Sequence, residues 1–361
     1  MKRFDWLFFA AVLLVSATGI MMIYSTGLAG SGESNLWLKQ ILFMGLGLAG
    51  LFALASLDYR FFRKNSSAIY VVAVILLIAV LVTGQNIRGS RRWFDLGITN
   101  FQPAELSKLA LIVLLAKYFQ VQRPFLKKFR YVFFSFLYAA LPVALIIKQP
   151  DLGSALVILS IWGGMLLISP IPKRYLLYLL VIFSLVSVVA WNFVLVDYQK
   201  DRLRTFLDPA ADPQGRGYNV IQSMVAIGSG GLTGRGLARG LQSQLKFLPE
   251  RQTDFIFAST VEELGLLGGT LVLVFLGFVL FRILKVMKNS QDSFASYLAA
   301  GIFFLFLSQT AINIGMNLGL LPVTGITLPF LSYGGSSLVI MLWLIGILQS
   351  ITRRSSALRF G

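Results

Sequence analysis

Apolar residues occur along this chain in long runs that short polar segments separate. A helix needs about 20 mainly apolar residues to cross the hydrocarbon core of a bilayer. The runs therefore predict ten membrane-spanning helices, at residues 6–25, 36–57, 67–84, 104–119, 131–147, 152–169, 174–194, 255–284, 294–318 and 334–351. The predicted fold is an all-α polytopic membrane protein, with residues 1–361 forming one membrane domain.

The polar segments between the runs alternate in charge. Lys and Arg are concentrated near the N-terminus, in every second connecting segment and near the C-terminus. Because such segments stay on the cytoplasmic side of a membrane, both termini are predicted to be cytoplasmic. Segments 85–103 and 197–254 then lie outside, and 197–254 is a large extracytoplasmic loop between helices seven and eight.

The large outer loop contains a glycine cluster, "GSGGLTGRGLARG", and two apolar stretches, "YNVIQSMVAIG" and "LQSQLKFLPE". A long loop is usually either functional or disordered. Apolar stretches of this kind are typical of short amphipathic helices that lie on a membrane surface. We therefore expect an ordered loop.

Composition agrees with a membrane protein and adds a strong positive charge. Hydrophobic residues make up 57% of the chain, charged residues 13%, and the mean hydropathy is +0.77. Such a chain has too little polar surface for a soluble globule. The net charge of +17 would suit nucleic acid. However, the cations lie between the apolar runs, where topology and lipid headgroups explain them, so we expect no nucleic-acid partner.

Histidine and cysteine are both absent from the sequence. This excludes Ser-His-Asp and Cys-His nucleophile systems, zinc sites built on His or Cys, haem with such ligands, and disulfides. Catalysis would have to use carboxylates, basic groups and hydroxyls. A hard divalent cation, Mg²⁺ or Mn²⁺, is the one metal cofactor that such residues favour.

Three carboxylates stand at or just inside the start of the eighth apolar run, in "TDFIFASTVEELG". Asp254 has two interpretations: together with Thr253 it caps the following helix, or it is a base or cation ligand at the membrane boundary. Glu262 and Glu263 lie deeper, and acids inside a membrane indicate function by default. For these two we favour a structural pairing with a basic residue on a neighbouring helix.

Further charged residues lie inside the fourth predicted helix and just before the sixth. Glu105 and Lys108 stand three residues apart, just after Pro103. This spacing favours an ion pair within the helix, and the alternative is a pair that binds phosphate in a polar cavity. Asp151, in "QPDLGSA", is interpreted as a helix cap.

The predicted outer segments contain more arginine than such segments usually do. For most of these residues a solvated loop is the simpler interpretation. As a group they also suit an anionic, lipid-linked ligand, because arginine binds phosphate oxygens with two parallel hydrogen bonds. The residues are Arg88, Arg91, Arg92, Arg202, Arg204, Arg216, Arg235, Arg239 and Arg251.

Six stretches, in this order along the chain, resemble one known family. They are "RGSRRWFDLG", "FQPAELSKLALI", "QPDLGSALV", "GYNVIQSMVAIGSGGLTGRG", "FLPERQTDFIFASTVEELG" and "LPFLSYGGSS". They resemble the SEDS family (shape, elongation, division and sporulation) from the third helix to the tenth. "LQSQLKFLPE" and "NIGMNLGLLPVTGITLPF" are more similar to the rod-shape, elongation branch than to the division branch.

The resemblance implies a ten-helix peptidoglycan glycosyltransferase of the bacterial cytoplasmic membrane. It would polymerise lipid II during cell elongation, release undecaprenyl pyrophosphate and hold undecaprenyl-linked glycan. It also implies a class B penicillin-binding protein as the partner that supplies transpeptidase activity, other elongation-complex proteins as neighbours, and no nucleotide. The family's essential aspartate falls on Asp254, which we expect to be catalytic or to hold the cation.

The candidate residues for binding substrate and pyrophosphate follow from that reaction. They are Arg88, Arg204, Lys108, Glu105 and Arg216, with Asp151, Glu262 and Glu263 in supporting roles. Two alternatives suit the same residues. A lipid II flippase would also need many helices, internal charges and a site for a lipid pyrophosphate. A non-catalytic scaffold would hold a penicillin-binding protein without extending glycan.

Overall fold

The computed structural model of the chain describes residues 4–28, 35–87, 90–95, 97, 100–189, 192–193, 200–201, 205–208, 212, 215 and 217–355. Twelve α-helices lie within these residues. They are α1 (Trp6–Gly27), α2 (Leu36–Ser56), α3 (Arg60–Thr83), α4 (Pro103–Gln122), α5 (Phe129–Lys148), α6 (Leu152–Ile168), α7 (Lys173–Val189), α8 (Tyr218–Ser229), α9 (Leu241–Gln244), α10 (Ile256–Asn289), α11 (Ser293–Asn317) and α12 (Gly335–Ser355).

Each of the ten predicted spans coincides with one of these helices. Seven helices among the described residues are long and apolar enough to cross a membrane: α1, α2, α3, α5, α10, α11 and α12. Helix α4 carries three charged residues, and α6 and α7 have 17 residues each. The chain is an all-α polytopic membrane protein, as predicted.

Helix α4 lies at the centre of the bundle, where it packs against α3, α6 and α11. Most of its side chains are buried, including those of Glu105 and Lys108. Helix α12 packs mainly against α2, and α1 packs against α10. Helices α2, α3, α5 and α10 bury only one face each, so they present apolar side chains to the surroundings.

A small antiparallel sheet between α3 and α4 was not predicted from the sequence. Its strands are β1 (Gln85–Ile87), β2 (Ser90–Asp95) and β3 (Asn100–Phe101), in the order β1-β2-β3. Strands this short leave no recognisable alternation of apolar and polar residues. Arg92 of β2 ties the sheet to the turn before α6, because its guanidinium donates to the carbonyl oxygens of Gln149 (2.8 Å) and Pro150.

The helix predicted in the first apolar stretch of the large loop is confirmed, and the second stretch is helical only in part. Helix α8 covers the first of them, and α9 covers only the first turn of the second. The chain after α9 continues as turns up to the start of α10.

Helix α10 is interrupted at Gly265, whose backbone angles are φ 72° and ψ −175°. The glycine cluster of the outer loop enters this break. Arg235 N donates to Glu262 O (3.0 Å) and Gly236 N to Glu263 O (2.9 Å). On the other side of the break, the amides of Leu266 and Leu267 donate to the carbonyl oxygens of Gly231 (2.9 Å) and Leu232 (3.1 Å).

The contact between the loop and the break leaves no room for side chains. A Cβ atom on Gly234 would collide with the carbonyl oxygen of Glu263, and one on Gly265 would lie 2.5 Å from Thr233 C. Gly265 also has backbone angles that essentially only glycine adopts. Glycine is therefore required on both sides of this contact.

Replacing Gly265 with alanine should destabilise the protein through this contact. Strain at such a backbone position costs about 1–3 kcal/mol, and the collision with Thr233 adds to it. We expect Gly265→Ala to lower the thermal unfolding midpoint in detergent and to expose the outer loop to protease. Gly277→Ala in the same helix is the matched control, because nothing lies within 4 Å of its Cβ position. Equal midpoints for the two variants would contradict the prediction.

Candidate active site

Asp254 is half-buried and lies in the turn that precedes α10. The helix begins at Ile256, and its N-cap is Phe255, with no side-chain cap bond. Neither Thr253 nor Asp254 is therefore the N-cap residue of α10. Thr253 Oγ1 instead donates to Glu250, to its carbonyl oxygen (3.2 Å) and to Oε2 (3.1 Å).

Two buried asparagines at the end of α11 hold the backbone of this turn. Asn313 Nδ2 and Asn317 Nδ2 both donate to Asp254 O, at 3.0 and 2.9 Å. Asn317 Oδ1 accepts from Ala258 N (3.0 Å), one of the amides that the first turn of a helix leaves without an intrahelical partner. Both side chains are fully buried. The asparagine pair therefore fixes the main chain on which the Asp254 carboxylate stands.

The loop between α11 and α12 completes the surroundings of Asp254. Ser332 Oγ donates to Thr253 O (2.7 Å), and Tyr333 N donates to Gln252 O (2.8 Å). Gly325 has a φ of +74°, and a Cβ on it would lie 3.5 Å from Asp254 Oδ2. Burial raises the pKa of the Tyr333 hydroxyl, so this residue is neutral at physiological pH.

Asp151 caps α6 and borders the same loop. Its Oδ1 accepts from Ser154 N (3.0 Å), and its Oδ2 accepts from Gln102 Nε2 (3.3 Å). Arg92 Nη1 lies 3.8 Å from Oδ2. Two residues further on, a Cβ on Gly153 would lie 2.8 Å from the carbonyl oxygen of Thr324, beside the Gly325 that faces Asp254. The start of α6 and the Asp254 turn thus meet at one segment of the loop.

Glu105 and Lys108 form the ion pair within α4 that their spacing indicates, with 2.7 Å between Nζ and Oε1. Both side chains are almost fully buried, at 2% exposure for Lys108 and 8% for Glu105. Just before α4, Gln102 N donates to Ser336 Oγ in α12 (3.0 Å). The pair therefore lies in the first turns of α4, at the end of the bundle that carries Asp254.

Glu262 and Glu263 are structural in a way that the sequence did not predict. The prediction of a basic partner is wrong. Within the described chain, both carboxylates accept hydrogen bonds from amide and hydroxyl groups instead. Glu262 accepts from Gln242 N (2.7 Å) and from Ser243 N and Oγ (3.1 and 2.6 Å). Glu263 accepts from Gln244 Nε2 (3.2 Å), from Ala238 N (3.1 Å) and from Ser25 Oγ of α1.

The two glutamates thus attach the outer loop to α10 and α1. Glu262 accepts from the first amides of α9, which are free because the first turn of a helix leaves them without intrahelical partners. Hydrogen bonds to an ionised carboxylate are about twice as strong as neutral ones. No motif in the sequence indicates that these two carboxylates accept hydrogen bonds from the outer loop and α1.

Three of the expected phosphate ligands, Arg88, Arg204 and Arg216, lie outside the described residues. Two other outer arginines donate to backbone carbonyl oxygens. Arg251 Nε donates to Thr26 O (3.3 Å), and Arg235 Nε donates to Ser229 O (3.2 Å). The first bond attaches the outer loop to α1, and the second lies within the loop.

The asparagine pair of α11 was not predicted from the sequence. Its signal was present, because two amide side chains four residues apart in an apolar run lie on one face of a helix. For a metal ion, no group of three His, Cys, Asp or Glu side chains suited to binding one occurs among the described residues.

Comparison with known proteins gives consistent relatives over almost the whole chain. The family model described as "Cell cycle protein", which covers FtsW, RodA and SpoVE, matches residues 5–357. The peptidoglycan glycosyltransferase MrdB of Escherichia coli K12 is 36% identical, over 94% of this chain and 90% of its own.

Two solved structures share the fold. One is reported for the coordination of polymerization and crosslinking by a peptidoglycan synthase complex, and its chain is 34% identical, with a TM-score of 0.84 and coverage of 98% and 99%. The other is the rod shape determining protein RodA of Thermus thermophilus, 29% identical, with a TM-score of 0.72 and 97% of each chain covered. With the motifs and the fold in agreement, the chain belongs to the family of FtsW, RodA and SpoVE, the SEDS family.

Proposed function

We propose that this chain is a peptidoglycan glycosyltransferase that polymerises lipid II at the outer face of the bacterial cytoplasmic membrane, with Asp254 as its general base. The observation that carries the proposal is the half-buried Asp254 on a turn whose backbone two buried asparagines fix. Membership of a family that includes a peptidoglycan glycosyltransferase supports the reaction class.

In the proposed reaction, the C4 hydroxyl of the lipid II GlcNAc attacks C1 of the MurNAc at the reducing end of the growing strand. The hydroxyl proton passes to the Asp254 carboxylate as the new C1–O bond forms. The bond from C1 to the pyrophosphate oxygen breaks, and undecaprenyl pyrophosphate leaves with the electron pair. Proton removal by a positioned base typically contributes a factor of about 10² to 10⁴.

Cationic side chains would stabilise the charge that develops on the pyrophosphate. Lys108 is the described candidate, and its ammonium group is held by Glu105 at 2.7 Å. Arg88, Arg204 and Arg216 are proposed for the same role on the strength of the family resemblance. Asp254 could also hold a Mg²⁺ or Mn²⁺ ion, and the proposed step uses the side chains alone.

The proposed topology places both termini in the cytoplasm and the large loop outside, so that Asp254 faces the lipid II of the outer leaflet. A class B penicillin-binding protein is the proposed partner for crosslinking. The similarity to a chain from a peptidoglycan synthase complex that coordinates polymerization and crosslinking supports this partner.

Asp254→Asn should abolish most glycan polymerisation, because the amide cannot accept the hydroxyl proton. We expect the rate of chain formation from purified lipid II in detergent to fall by about 10² to 10⁴, with an unchanged unfolding midpoint. Glu250→Gln is the matched control, since it removes a carboxylate from the same turn. Full activity of Asp254→Asn would contradict the role of Asp254 as the base. Failure of the wild-type protein to form chains, with or without partner, would favour the scaffold or the flippase.

Asn313→Leu tests whether the asparagine pair positions Asp254. The change removes donors from Asp254 O and Ile326 O at nearly constant size. We expect kcat to fall by about tenfold or more while KM changes little, since a displaced base weakens the transition state more than substrate binding.

The matched control for Asn313→Leu is Gln309→Leu, one turn earlier on the same face of α11. Gln309 is fully buried, and neither of its amide atoms has a partner within the described chain. Removing an unpaired polar group should leave activity unchanged and raise stability. Equal losses of kcat in both variants would show that the effect of Asn313→Leu is general disturbance of α11.

A further inference from the structure

An open cavity of about 830 Å³ lies between the first turns of α3 and the last turns of α4. Its lining combines four cations with one amide and one apolar side chain. The lining residues are Arg60, Arg63, Lys64, Lys117, Gln120 and Val121. None of them takes part in the site around Asp254, so the proposed glycosyl transfer leaves this cavity without a role.

The cavity lies at the opposite end of the bundle from Asp254. Helix α4 begins beside Ser336 and the loop that contacts the Asp254 turn, and it reaches the cavity in its last turns. From Pro103 to Gln120 the helix rises by roughly 26 Å, at 1.5 Å per residue. This is close to the thickness of the hydrocarbon core, about 30 Å. The cavity is therefore at the level of the other membrane boundary.

The positive charge of the cavity is mostly uncompensated by the described residues. Arg63 Nη1 lies 3.7 Å from Asp292 Oδ2. The other oxygen of Asp292 accepts from Gln120 Nε2 (3.2 Å) and from Phe294 N (3.2 Å). Among the described residues, no acidic side chain forms an ion pair with Arg60, Lys64 or Lys117.

Membrane topology accounts for cations at one end of the bundle, but it does not require two helices to direct them into one cavity. Like charges that converge in this way repel one another. A bound anion would relieve that repulsion. Arginine and lysine together suit phosphate, the first through its paired donors and the second as a point charge.

One face of α3 continues from the cavity as an apolar stripe. Residues at intervals of three, four and seven lie on one face of a helix. Starting from Arg60 and Lys64, these intervals lead to four exposed side chains, whose exposure ranges from 48% to 74%. They are Val71, Ile75, Ile78 and Val82. A ligand here would meet cations at one end and a hydrocarbon surface along the rest of its length.

We infer that this cavity binds the phosphate headgroup of an anionic phospholipid whose acyl chains lie along the apolar stripe of α3. The positive charge of the cavity favours a phosphate headgroup that carries no neutralising amine. The apolar stripe of α3 favours an amphiphile over a free anion. The bound lipid would join α3 to the last turns of α4. This inference is independent of the proposed catalysis and can be tested without an activity measurement.

The test measures lipid binding to the full-length protein in detergent by native mass spectrometry. Phosphatidylglycerol and phosphatidylcholine are titrated in parallel at two salt concentrations. We expect the anionic lipid to bind at least tenfold more tightly, with a preference that shrinks as salt screens the charges. Equal affinity for the two lipids would overturn the inference.

Lysine variants test whether the lipid binds at this cavity. Lys64→Gln combined with Lys117→Gln should weaken phosphatidylglycerol binding by about tenfold and leave the unfolding midpoint of lipid-free protein unchanged. Lys127→Gln combined with Lys128→Gln is the matched control, since these exposed lysines follow α4 but do not line the cavity. An equal loss in both pairs would indicate nonspecific attraction to the membrane surface and would overturn the assignment of the site.

A final arm separates the lipid from a free anion. Inorganic phosphate and a nucleoside triphosphate are each added as competitors at millimolar concentration. We expect phosphatidylglycerol to stay bound, because neither competitor has a hydrocarbon part to bury along α3. Displacement of the lipid by either competitor, with loss of that competitor's binding in Lys64→Gln, would assign the cavity to a soluble phosphate compound instead.

Discussion

Backbone polar groups inside a bilayer have no water to bond with, so every irregular segment at that depth needs partners from the protein. This requirement explains the parts of the fold that are not regular helix. The break at Gly265 in α10 is satisfied by four backbone hydrogen bonds from the glycine cluster. The Asp254 turn is satisfied by asparagine, serine and tyrosine groups from α11 and the loop after it.

The same constraint decides how buried charge is tolerated. A buried ion without a partner is costly, and a pair is tolerable when its geometry is good. Glu105 and Lys108 neutralise each other within one helix. Glu262 and Glu263 receive no opposite charge from the described chain and are stabilised by amide and hydroxyl donors instead. The candidate carboxylates of the sequence are thus of two kinds. Most of them have a structural role, whereas Asp254 lies at the membrane boundary.

The sequence predicted what depends on local pattern. Apolar runs located the helices, and the apolar stretches of the outer loop located α8 and the start of α9. The sheet at 85–101 was not predicted because its strands are short. The hydrogen-bond partners of Glu262 were not predicted because they are distant in the chain. Family motifs indicated Asp254, whereas Asn313 and Asn317 emerged only once α11 was placed against the turn.

The break in α10 has a consequence for the position of Asp254. It leaves a half-helix from Ile256 to Leu264, about 13 Å long at 1.5 Å per residue. Asn313 and Asn317 hold its first end, and the glycine cluster holds its second. The longer remainder of α10 exposes apolar side chains to the lipid side and is joined through a single glycine. The glycine cluster is bonded to both sides of the break, so the same segment fixes the short half-helix next to Asp254 and the start of the lipid-facing part of α10.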